Sequence, residues 1–149
     1  MKIDYSTFEY DESLYGEVDF NDGVSKKTIS VEIQADDFGN IPEESKKLLE
    51  SFFDNYSKYK EALLKPAYEY YLKRKAVIGK DDPSYPDIKD MKEINDVITL
   101  KTVVIHDPER YCKDSIGLVF DCPWDEEEGM GIRMTGLKVE IIGTNGCRY

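Results

Sequence analysis

Leu14 to Gln34 reads L-Y-G-E-V-D-F-N-D-G-V-S-K-K-T-I-S-V-E-I-Q. Leu14, Val18 and Phe20 fall on one side of an extended chain, with Tyr15, Glu17 and Asp19 on the other. Thr28 to Gln34 alternates in the same way and turns Ile29, Val31 and Ile33 inward. A period of two is the signature of a strand with one buried face. Asn21-Asp22-Gly23 between the two runs is a turn signal, so they are predicted to form an antiparallel hairpin with one solvated side. Residues 3–10 are a candidate for a preceding strand.

The period then changes. Leu48, Leu49, Phe52, Phe53, Tyr56, Tyr59, Leu63 and Leu64 recur at spacings of three and four, the apolar stripe of a helix. Asn40 is the predicted N-cap, with Pro42 in the first turn and Glu43 as capping-box partner. Pro66 has no N–H and disfavours helix at Lys65, so a kink or break is expected there. Helix resumes over Ala67 to Ala76, with Tyr68, Tyr71 and Leu72 at apolar or amphipathic positions. The aromatic stripe reads as a core face against a sheet, not as a ligand groove.

Gly79 to Pro86 has loop composition, and Ile88 to Asn95 reads as a short helix. Val97 to His106 is rich in β-branched residues and predicts a strand closed by Asp107-Pro108. Ile116–Phe120, Met130–Met134 and Leu137–Ile142 predict further strands, the last two joined by a tight turn at Thr135-Gly136. The fold class expected is α+β: a mainly antiparallel sheet with a pair of central helices packed on one face. A single domain over 1–149 is expected, made of an N-terminal hairpin (1–35), a helical segment (41–78) and C-terminal strands (97–143).

Composition narrows the function. With 40% hydrophobic and 34% charged residues, the chain is too apolar for disorder and too polar for a membrane protein. Its opening, M-K-I-D-Y-S-T-F-E-Y, has acids where a secretion signal needs an apolar core. Three cysteines, with no C-x-x-C pair, argue for a reducing cytoplasm and against a disulfide framework or zinc site. The net charge is −11, distributed as −7 over residues 1–40, +3 over 41–80, −4 over 81–114 and −3 over 115–149. That field repels phosphate backbones and anionic lipid, so neither nucleic acid nor membrane is an expected partner. A basic protein is the better complement.

The catalytic inventory is thin. His106 is the single histidine and has no nucleophile paired with it in a recognisable motif. Gly129-Met130-Gly131 opens a predicted strand, so no helix N-terminus awaits a phosphate. Asp121, Asp125, Glu126, Glu127 and Glu128 place five acids within eight residues, but not at the spacing of a calcium loop. Adjacent carboxylates in a turn also splay apart, whereas glycosidase pairs face each other across a cleft. No cofactor, metal site or catalytic residue is therefore assigned.

The stretch Ile116 to Ile132, I-G-L-V-F-D-C-P-W-D-E-E-E-G-M-G-I, together with Leu137 to Gly143, resembles a group of uncharacterised bacterial domains. Their pattern is an apolar strand, W-D-E-E-H-G-hydrophobic-G, and a hairpin ending in a V-x-x-V-G-like strand. Trp124, Asp125, Glu126, Glu127, Gly129 and Gly131 match, while Glu128 stands in the histidine position. Members look like proteins encoded near secreted polymorphic toxins, which implies an immunity-type binding role. The expectation is a non-enzymatic cytoplasmic protein-binding domain that neutralises a basic toxin. Trp124 is its predicted anchor, and Asp121, Asp125, Glu126, Glu127 and Glu128 supply complementary charge. The alternatives are a carboxylate- or metal-dependent hydrolase using Asp125 with His106 as base, or an accessory domain that associates through its aromatic helices.

Overall fold

A computed structural model describes residues 1–23, 25–79 and 81–149. Seven strands form one sheet in sequence order: β1 (Glu9–Asp11), β2 (Ser13–Asn21), β3 (Lys26–Gln34), β4 (Thr99–Ile105), β5 (Ser115–Cys122), β6 (Asp125–Thr135) and β7 (Lys138–Gly143). Every neighbouring pair is antiparallel except β3 and β4, which run parallel from Ser30↔Thr102 to Ile33↔Ile105. A parallel pair needs a crossover, and here it holds α1 (Glu43–Asp54), α2 (Tyr56–Arg74) and the short α3 (Ile94–Val97). This is the expected α+β class, with the expected antiparallel hairpin at 14–34: Val18 lies opposite Ile29 and Leu14 opposite Ile33.

The core lies between the sheet and the helices. Ile29 and Ile33 of β3, Val103 and Ile105 of β4, Leu118 and Phe120 of β5, and Met130 and Ile132 of β6 are all fully buried. Leu49, Phe52, Leu63, Ala67 and Tyr71 meet them from α1 and α2. The aromatic stripe is thus core, as its spacing predicts. No helix among the described residues is long and apolar enough to cross a membrane.

The helices depart from the expected boundaries in three places. Asn40 does not cap α1; its N–H and C=O instead close a turn with Asp36, at 2.8 Å each, and Pro42 occupies the cap position. The helix does not break at Pro66, which sits inside an unbroken α2. An interior proline costs about 3 kcal/mol, but Leu63, Ala67 and Tyr71 are each 0% exposed on the core side and hold the helix across it. The break falls at Asn55, at φ −115°, where the side-chain amide donates to the Ser51 carbonyl at 2.9 Å. The helix expected over 88–95 begins only at Met91, because the Asp90 carboxylate accepts from the Lys92 N–H and starts the turn there. Within the loop predicted at 79–86, Lys80 lies outside the described residues.

The C-terminal segment lies on the sheet's second face. After β7 the chain turns through Asn145–Arg148 and runs across β5 and β6 at Gly117 and Gly131. A Cβ on Gly117 would overlap the Arg148 carbonyl, and one on Gly131 would overlap the Thr144 carbonyl. The two glycines face this side of the sheet and let backbone lie directly on backbone. Gly117→Ala should therefore cost about 1–3 kcal/mol by overpacking. In a chain shortened to end at Gly143 the same substitution should cost much less, and chemical denaturation of the four chains measures that coupling.

Candidate functional site

The acidic stretch forms a hairpin end of unusual shape. Cys122 pairs with Asp125 and Phe120 with Met130, so the single residue Asp121 lies opposite the four residues Glu126 to Gly129. The expected solvated turn is therefore only two residues, Pro123-Trp124, followed by a large bulge in β6. Asp125 holds the bulge from within, its carboxylate accepting the Glu128 N–H at 3.0 Å. Gly129 closes it at φ +72°, a conformation that favours glycine, with its backbone against the Phe120 carbonyl.

The consequence is a row of exposed charge. Glu126, Glu127 and Glu128 are exposed and Asp125 is half-buried. Among the described residues, none of these four has a lysine or arginine within ion-pair distance; Asp121 has one, Lys101, at 3.6 Å. The five acids do not converge. No group of three or more His, Cys, Asp or Glu side chains among the described residues is placed to hold an ion.

Trp124 is not an exposed anchor, contrary to expectation. It is 7% exposed and packs against Tyr71 of α2, at 5.3 Å between ring centres, and stacks on Tyr85 at 6.2 Å and 20°. The same Tyr71 hydroxyl donates to the Pro86 carbonyl and so ties the 82–88 loop to the helix. A tight hairpin points one of its two turn residues back at the sheet, and here that residue meets an aromatic layer built from a helix and a distant loop. Its indole Nε1 is buried without a hydrogen-bond partner among the described residues, as is Nε of nearby Arg74. Neighbouring Cys122 is buried as well, and burial pushes its thiol up to about 11, far from a reactive thiolate.

His106 belongs to a different place. It is 1% exposed, at the far end of β4, with Nδ1 2.7 Å from the Ser115 hydroxyl and Nε2 2.6 Å from the Arg148 carbonyl. A carbonyl only accepts, so Nε2 carries the proton and Nδ1 accepts from Ser115. Tyr111 stacks on the imidazole at 4.2 Å, and Tyr149 donates to the buried Glu32 carboxylate at 2.7 Å. The cluster clamps the C-terminal segment to the sheet. Sequence reasoning missed it because its contacts join residues up to 117 positions apart. His106 is level with Ser115 and Asp125 with Cys122, at opposite ends of the eight-residue β5. That separation is about 23 Å at the usual strand rise. The hydrolase pairing of Asp125 with His106 is therefore not assembled.

The chain matches the family described as "Domain of unknown function (DUF6985)" over residues 3–149 and belongs to it. No curated protein and no solved structure matches it.

Two outcomes follow from this geometry. Trp124→Ala should destabilise the fold by about 3–5 kcal/mol, read as a drop in the denaturation midpoint, whereas loss of an exposed anchor would leave it unchanged. Burial also holds His106 down to about 4, below its ordinary 6.5. The unfolded chain then binds the extra proton between those values, so His106 weakens stability as pH falls from about 6.5 to 4 and has no such effect above. The effect approaches tenfold in the folding constant per pH unit. Comparing stability against pH for the native chain and His106→Gln isolates it.

Proposed function

We propose that this domain is a non-enzymatic protein-binding module of immunity type, which occludes a basic partner such as a toxin domain in the bacterial cytoplasm. The observation that carries the reading is the bulge: three consecutive exposed glutamates, held on a braced hairpin, with no lysine or arginine within ion-pair distance among the described residues. Uncompensated carboxylates on a rigid element keep their field outward, where it steers a cationic surface into contact and disfavours anionic ones. The overall charge of −11 adds to that field at longer range. The resemblance of the W-D-E-E-E-G segment to domains encoded near toxins supports the same class of partner.

Within this reading the roles divide. Glu126, Glu127 and Glu128 touch the partner, and Asp121 contributes charge once Lys101 is displaced or shared. Asp125 positions the row through the Glu128 N–H. Trp124 acts from beneath, as the packed support of the hairpin.

The test is co-expression with the product of the adjacent gene, followed by association kinetics on the purified pair. Reversing Glu126, Glu127 and Glu128 to lysine should leave stability within about 0.5 kcal/mol. It should slow association by roughly tenfold or more at low salt and flatten the salt dependence. An unaltered association rate in the triple reversal would remove the bulge from the interface, and an unneutralised toxin beside this gene would remove the immunity role.

A further inference from the structure

A cavity lies away from the acidic bulge, at the other side of α2. It measures about 880 Å³ and opens between the β2–β3 hairpin, the junction of α1 and α2, and residues 92–99. That is the size range of small-molecule sites. Phe20, Phe53 and Tyr56 line one wall, with Phe20 centred 4.9 Å from Phe53 and 5.1 Å from Tyr56. Leu64 and Ile98 extend the apolar lining.

One cation is seated among these rings. The Lys60 ammonium lies 5.0 Å from the ring centre of Phe120 and 5.9 Å from that of Tyr56. No carboxylate among the described residues lies within ion-pair distance of it. The surrounding acids do not take that place: Asp22 is paired with Lys27 at 2.8 Å, and Asp54 with the Met1 amine. Glu61, Asp96 and Lys92 also line the cavity without forming an ion pair to Lys60. Ring faces offset part of the cost of a desolvated ammonium. An anion would offset more, because charge-assisted hydrogen bonds are the stronger interaction.

We propose that this cavity is a binding site for a small organic monocarboxylate with a flat apolar body, its carboxylate on Lys60 and its body against Phe20, Phe53 and Tyr56. The arrangement matches each half of such a ligand to a separate part of the wall. It is unsuited to a polyphosphate, which would meet apolar rings beyond the first anionic group. Burial and the charge of Lys27 pull the Lys60 amine down to about 8, with Asp22 opposing, so this amine loses its charge just above neutrality. A bound carboxylate favours the charged amine, which makes ligand binding and Lys60 protonation mutually reinforcing.

Phenylacetate, its neutral analogue phenylacetamide, and phenethylamine serve as probes, titrated into the full chain and followed by nuclear magnetic resonance of the labelled protein. Phenylacetate should bind saturably at pH 7 and shift Phe20, Phe53 and Tyr56 resonances, with both analogues at least about tenfold weaker. Its affinity should fall by about tenfold per pH unit above the amine's value near 8. Lys60→Met should abolish the difference between phenylacetate and phenylacetamide, whereas Lys101→Met, beside the acidic bulge, should preserve it. Absence of saturable phenylacetate binding to the native chain would overturn the proposal. So would equal binding of the amide, or an affinity constant from pH 7 to 10. The pH series uses the native chain alone and decides the matter even where Lys60→Met does not fold. The site is independent of the acidic bulge, so failure here leaves the protein-binding reading standing.

Discussion

The parallel pairing of β3 with β4 is the constraint on which the remainder of the molecule depends. Four register pairs, Ser30 to Ile33 against Thr102 to Ile105, join two antiparallel meanders into one sheet. Antiparallel neighbours can be joined by a two-residue turn, but a parallel pair obliges the chain to return across a face. The returning segment must then cover that face, and α1 and α2 do so with Leu49, Phe52, Leu63 and Tyr71. The same segment supplies one side of the cavity beside Lys60, whose other side is the end of the β2–β3 hairpin. It also delivers Tyr71 to the spot where Trp124 arrives from the β5–β6 turn.

Two opposite uses of charge result from that arrangement. On the β5–β6 hairpin, Glu126, Glu127 and Glu128 are pushed into water by a bulge with no ion-pair partner among the described residues, so their field reaches outward. Beside α2, an amine is drawn inward onto aromatic faces with no carboxylate within ion-pair distance among the described residues, so its demand is local. The region 41–80 is the one part of the chain with a positive balance, +3, against an overall −11. The two proposed ligands, a basic macromolecule and a small organic anion, thus fall on different surfaces, and the buried Trp124 belongs to neither proposed contact set.

Much of the fold was legible in local pattern. The alternation of Val18 and Phe20 with Ile29, Val31 and Ile33 is enforced by the pleat, and the stripe from Leu49 to Leu64 by the helical turn. Both patterns reach the surface of a sequence because burial acts on them residue by residue. Pro66 was misleading for the complementary reason: its local cost is real, but Tyr71 and Ala67 are anchored by tertiary contacts that no window around Pro66 contains. Asn40 misled in the same way, since its backbone was already committed to Asp36. The acidic row was visible as composition, and its exposure depends on a bulge that a count of carboxylates does not reveal.

Sequence alone determined the alternation, the turn glycines, the aromatic stripe, the charge and hence the α+β class, since each rests on neighbours within a few positions. Tertiary structure decided which of those residues face solvent. Trp124 is buried because Tyr71 and Tyr85, 53 and 39 positions before it, form the surface it meets. His106 is neutral and enclosed because Ser115 and Arg148 satisfy both ring nitrogens from two other segments. Lys60 has no carboxylate within ion-pair distance among the described residues, with Asp22 committed to Lys27 and Asp54 to the Met1 amine. Burial, pairing and exposure are properties of groups distant in the chain and adjacent in space, and only the folded arrangement sets them.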